Sequence, residues 1–194
     1  MLWALWGRKN ELGPLTAASE IYQAVLELGW ILVLFTLVWT NREPYSTLGF
    51  RRVRWQPELI WAALILGAQW AVAWALVALA ASLDWMPGPS DHPRDDGTLL
   101  FRLVAPFSLA VGALFEEAFF RGYLWRRIEM LTGRPAAALL ITSTLFAAYH
   151  PYSWWATAQV FVFGLIMGAF YWKGRSVPRL ALAHALFNVL IVYA

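Results

Sequence analysis

An all-α, polytopic membrane bundle of about six transmembrane helices, with a short N-terminal interfacial segment, is the fold this sequence predicts. Three observations carry that expectation. Of the 194 residues, 60% are hydrophobic and 14% charged, whereas soluble domains run at about half apolar and about a quarter charged. The apolar residues are gathered into long segments. The arginines and lysines collect in alternate connectors between them. Mean hydropathy is +0.54, and the length suits one integral-membrane domain over 1–194 at ~20 residues per span.

The opening MLWALWGRKN does not read as a signal peptide, because its charges follow a short apolar patch instead of preceding it. Residues 1–16 read as an interfacial segment, with Trp3 and Trp6 at headgroup level. Six apolar segments follow, at about 18–40, 58–83, from Leu99 toward Glu116, 136–150, 153–172, and from 177 to the end. The first, second and fifth are long enough to cross a ~30 Å hydrocarbon core outright. The fourth and sixth are short, which suits burial inside the bundle or little tilt. They are helices because backbone groups in hydrocarbon must be paired within the segment, and they lack the two-residue alternation of a β-barrel.

Basic residues set the orientation. Arg42, Arg51, Arg52 and Arg54 lie in the 41–57 connector. Arg121, Arg126, Arg127 and Arg134 lie in 121–135, and Lys173, Arg175 and Arg179 in 173–179. These alternate connectors are expected in the cytoplasm, with both termini and the acidic 84–98 loop outside. Trp39, Trp55, Trp85, Trp125, Trp154 and Trp172 fall near the segment ends, as an aromatic belt would. The basic residues thus serve topology, and no nucleic-acid partner is expected despite the net charge of +3. The chain has no cysteine, which excludes disulfides, thiolate metal sites and a cysteine nucleophile.

Ionisable residues inside membrane helices are expensive and so call for a function or a partner. Glu116, Glu117 and Arg121 stand in LFEEAFFRG, Phe146 and His150 in FAAYHP, and His184 and Asn188 in HALFN. At ~1.5 Å per residue, Glu116 lies ~15 Å from Arg126 and His150 ~21 Å from Ala136, while His184 and Asn188 lie ~9 and ~15 Å from Pro178. These depths overlap, so three helices can bring one Glu, two His and one Asn together. Glu117 and Arg121, at i,i+4, are suited to an ion pair. Glu116, rotated ~100° from Glu117, is free to point elsewhere, and Gly112 and Ala113 on its face let another helix or a substrate backbone come close. Gly164 and Gly168 form a GxxxG packing signal. Glu20 and Glu27 share a face and read as interfacial or bundle-lining, and His92 reads as solvated in its acidic loop.

A carboxylate beside an imidazole can activate water, and a His with an Asn can donate hydrogen bonds to the oxyanion formed when water attacks an amide. Glu116, His150, His184 and Asn188 supply those parts. The sequence has no HExxH and no GxSxG, no serine lies within the three clusters, and the loop aspartates lie outside the membrane segments. No cofactor is required by this chemistry. A zinc site built from Glu116, His150 and His184 is the alternative.

The three clusters resemble known family motifs. EEAFFR at 116–121 matches EExxxR, FAAYH at 146–150 matches FxxxH, and HALFN at 184–188 matches HxxxN. In that order, each in an apolar segment, they are the motifs of the CPBP family, the CAAX-protease and bacteriocin-processing (Abi) group. The resemblance covers about 99–194, the expected catalytic core, and implies an intramembrane glutamic endopeptidase. By resemblance, Glu116 and His150 activate water, His184 and Asn188 form the oxyanion hole, and Glu117, Arg121 and Phe146 support them. The implied partner is a membrane-embedded or lipid-anchored protein or peptide, and the expected location is the cell membrane of a prokaryote. Two other classes use similar residues: a transporter with a buried proton relay, against which the lack of an internal repeat counts, and a silent membrane scaffold.

Overall fold

The computed structural model describes residues 16–50, 54–85, 97–150 and 154–193. The interfacial reading of 1–16, apart from Thr16, falls outside them, as do Arg51, Arg52 and the part of the acidic loop that holds His92. Among the described residues the chain is all-helical, as the sequence predicts. Helix α1 spans Ala17–Thr40, and a 3-10 turn follows at Tyr45–Leu48. Helix α2 spans Trp55–Ser82. Helix α3, Leu99–Glu116, runs through a π-helical stretch, Glu117–Leu124, into α4, Trp125–Thr132. Helices α5, Pro135–Tyr149, α6, Trp154–Gly174, and α7, Val177–Tyr193, complete the bundle.

The helix ends follow local rules. Thr16 and Ser19 close a capping box at the start of α1, and the Thr98 side chain accepts from the Phe101 amide to start α3. Gly133, at φ +65°, ends α4, and Pro135 opens α5 at its first turn. Four helical runs are long and apolar enough to cross a membrane: Ala17–Thr40, Trp55–Ser82, Leu99–Thr132 and Trp154–Gly174. The other two, α5 and α7, are shorter. Large apolar residues such as Trp30, Leu32, Leu64, Trp74 and Leu103 are exposed, as lipid-facing surfaces require.

α1 packs on α3, α3 on α7, α7 on α2, and α5 on α6. The largest core cluster gathers Val38, Leu48, Ile65, Trp125, Met167, Val177 and Leu180. Close approach depends on two glycine positions in particular. A Cβ on Gly164 would stand 3.1 Å from the Ser143 Cβ of α5, so the GxxxG signal does mark a tight helix pair. A Cβ on Gly122 would stand 2.7 Å from the Leu48 carbonyl, so this glycine seats the 3-10 turn.

Two sequence expectations need correction. The basic 121–135 stretch is no simple connector: it is helical as far as Thr132, and Arg121 is fully buried in the bundle. Its charge is held by a carboxylate, so it does not serve as a surface topology signal. Trp125 does not join the aromatic belt either. It is fully buried, with its ring against Tyr171 and its indole N–H donating to Glu129 at 3.1 Å. Trp39, Trp55, Trp85, Trp154 and Trp172 are exposed. Four other basic residues of these connectors are held in ion pairs. Arg126 and Arg127 pair with Glu43, Arg175 pairs bidentately with Glu129 at 2.7 Å, and Arg179 pairs with Glu58 at 2.8 and 2.9 Å.

Candidate active site

The site forms where the π-helical stretch meets α5 and α7. An α-helix widened to i→i+5 bonding changes the angular spacing of its side chains, and such segments often stand at functional sites. Here it begins at Glu117, so Glu116 ends the regular helix and Glu117 opens the widened one. The two adjacent carboxylates turn different ways and share only His184, at opposite nitrogens of its ring.

Glu117 is fully buried and turns toward Arg121, whose Nη1 donates to Glu117 Oε1 at 3.1 Å. The same oxygen accepts from His184 Nδ1 at 2.9 Å. Arg121 also donates through Nη2 to the Gly164 carbonyl at 3.3 Å and lies 4.3 Å above the Phe146 ring. A buried guanidinium is thereby held by a carboxylate, a helix carbonyl and an aromatic face. Phe146 is buried and forms the shared floor, with its centroid 4.7 Å from the His150 ring and 6.1 Å from the His184 ring.

Glu116 faces both histidines. Its Oε1 lies 3.6 Å from His150 Nε2, and its Oε2 lies 3.7 Å from His184 Nε2. These gaps are longer than direct hydrogen bonds and suit a bridging molecule. His150 sits at the end of α5, where its Nδ1 donates to the Phe146 carbonyl at 2.8 Å. Neutral His150 therefore presents Nε2 to Glu116 as an acceptor. His184 has its Nδ1 on Glu117, so its Nε2 can donate only when the ring is an imidazolium. Asn188 is half-buried one turn along α7 from His184.

The structure thus brings together Glu116, Glu117, Arg121, Phe146, His150 and His184, with Asn188 on the next turn. The sequence reading missed the bond from Glu117 to His184, which makes Glu117 a partner of the imidazole as well as of Arg121. It also missed Phe163, packed 4.9 Å from the His184 ring, and Tyr149, 5.2 Å from His150. Aromatic residues on apolar helices carry no signal that separates these two from the rest. Gly112 faces the Glu27 carboxylate of α1, with 2.8 Å between an added Cβ and Glu27 Oε1. The room it leaves is taken by helix α1 through the Glu27 side chain, which is the helix approach expected there. Among the described residues, no group of three or more His, Asp or Glu has an arrangement suited to holding a metal ion.

No curated protein and no solved structure matches the chain. The family comparison does match: residues 98–190 fit the model of the Rce1-like family, type II CAAX prenyl endopeptidase Rce1-like. That stretch begins at the N-cap of α3 and ends within α7, so it contains all three motifs and every residue of the cluster. Over residues 98–190, a little under half of its length, the chain is similar to the Rce1-like family of type II CAAX prenyl endopeptidases, in line with the resemblance its three motifs carry.

Proposed function

We propose that the chain is an intramembrane endopeptidase that hydrolyses a peptide bond of a membrane-anchored protein or peptide with Glu116-activated water. The observation that carries this reading is the Glu116 carboxylate, with His150 Nε2 3.6 Å from one oxygen and His184 Nε2 3.7 Å from the other. A water between Glu116 and His150 gives one hydrogen to the carboxylate and points the other at His150 Nε2. Its oxygen attacks the carbonyl carbon, Glu116 takes the proton, and the carbonyl electron pair moves to oxygen. His184, as imidazolium, and Asn188 donate to that oxyanion. Glu116 then returns its proton to the amide nitrogen, the C–N bond breaks, and the acid and amine products leave.

The tilt of this machinery rests on Glu117. Its hold on Nδ1 fixes the orientation of His184 and, with Arg121, balances charge. Glu116 and Glu117 then face Arg121 and the His184 imidazolium, two anions against two cations. The family match supports the reaction class, and a lipid-anchored peptide fits a site set among apolar helices. The test is cleavage of a lipid-anchored peptide by the purified protein in vesicles, with products identified by mass. Two new termini at an internal peptide bond are expected. An intact substrate with folded protein would refute the proposal.

A further inference from the structure

The reaction above draws on α3, α5 and α7, yet α1 brings a buried carboxylate to the same face. Glu27 is only 7% exposed. Its Oε1 accepts from Gln23 Nε2 at 2.8 Å, and its Oε2 has no hydrogen-bond partner among the described residues. The carboxylate lies flat on Gly112: an added Cβ there would stand 2.8 Å from Oε1 and 2.9 Å from Oε2. Gly112 is one turn, or ~6 Å along the axis, before Glu116 on α3.

The seam between α1 and α3 carries polar side chains besides Glu27. Glu20 interacts with Ser108, and Glu27 with Gly112, in the same order along both chains, so the two helices run in parallel here. Gln23 is exposed, Glu20 half-buried and Glu27 buried. A carboxylate oxygen buried without a donor is costly, and in protein interiors such a group is met by water. The missing side chain at Gly112 is what lets the carboxylate lie so close to α3.

We propose that Glu27 is a positioning residue of the hydrolytic site: its Oε2 holds a water in the α1–α3 seam that hydrogen-bonds onward to Glu116 and keeps that carboxylate aimed at the reacting water. This rests on the hydrolytic reading above. A positioning role separates from a merely structural one through kinetics. Glu27→Leu removes the water's partner, and Gly112→Ala pushes the carboxylate away from α3. Each should lower kcat by up to ~10²-fold, the scale of a misplaced reacting group, with KM unchanged. Glu27→Gln keeps the size and an accepting oxygen and should retain most of kcat.

The second measurement does not depend on catalysis. The chain has no cysteine, so Glu27→Cys in vesicles can be probed with a small charged thiosulfonate, which reacts only where water reaches the thiol. Leu32→Cys, on the exposed apolar side of α1, is the dry control. Labelling at 27 and not at 32, with the kcat losses above, is the expected result. Unchanged kcat in folded Glu27→Leu and Gly112→Ala, or no labelling at 27, would overturn the proposal. If Glu27→Leu fails to fold, Gly112→Ala decides the kinetic arm. A folded wild type that cleaves nothing sinks the hydrolytic reading and the positioning role with it, while the labelling still reports whether water reaches position 27.

Discussion

One carboxylate oxygen, Glu117 Oε1, accepts from both Arg121 Nη1 at 3.1 Å and His184 Nδ1 at 2.9 Å. Removing it strands a buried guanidinium and frees an imidazole. Glu117→Gln is therefore expected to lower stability by about 3–5 kcal/mol, the cost of breaking a buried pair from one side. Adding Arg121→Met removes the stranded charge and should recover much of that loss. It should not recover cleavage, because His184 still lacks its carboxylate. A double-mutant cycle read by unfolding and by kcat separates the two effects.

Asn188 faces a different expectation. In the proposed reaction its amide bonds an oxygen that carries charge only in the transition state. Asn188→Ala should cut kcat about 10²–10³-fold with little change in KM or in melting temperature. A steady-state comparison checks this, and a rise in KM at constant kcat would move Asn188 to ground-state binding.

Gly122 bears on stability alone. A methyl there would meet the Leu48 carbonyl at 2.7 Å, and that atom is backbone, so the 3-10 turn must move. Gly122→Ala is expected to cost about 1–3 kcal/mol, the usual scale of overpacking. Thermal unfolding in detergent measures it. An unchanged midpoint would show that the turn is not held by this contact.

Metal dependence divides the two chemistries drawn from the same residues. With Glu116-activated water, a chelator leaves the rate unchanged. With zinc on Glu116, His150 and His184, the chelator stops cleavage and zinc restores it. Activity with and without chelator, alongside metal content by mass spectrometry, decides between them.

Much of the fold was legible because hydrocarbon permits so few solutions. The six apolar segments match the helices closely: about 18–40 became Ala17–Thr40, and 136–150 became Pro135–Tyr149. The short reading of α5 and α7 also matches. The third segment was read too short because Arg121, Arg126 and Arg127 look like the end of a membrane run. The i,i+4 spacing offers Arg121 a partner in Glu117, but nothing local tells that the pair is buried against the Gly164 carbonyl, or that Arg126 and Arg127 will find Glu43. Trp125 failed for a similar reason, since a tryptophan near a helix end is drawn to the interface unless a partner such as Glu129 lies inside.

Within the site, i,i+4 spacing foretold the Glu117–Arg121 pair. Depth arithmetic foretold that Glu116, His150 and His184 could meet. The bond from Glu117 to His184 was not legible, because it crosses from the π-helical stretch to α7 and depends on the widened turn that starts at Glu117. Glu27 was legible only as one of two acidic residues on a helix face. Its placement on Gly112 depends on how α1 packs against α3.

The central claim is that the Glu116 carboxylate takes the proton of the attacking water. Glu116→Gln keeps the size and hydrogen-bonding reach of the side chain and removes only its basicity. The deciding measurement is the cleavage rate of a lipid-anchored peptide by purified wild type and Glu116→Gln, both shown to be folded. A drop of about 10²–10⁴-fold in kcat is expected, the usual worth of a general base. Cleavage by Glu116→Gln at the wild-type rate would contradict the mechanism.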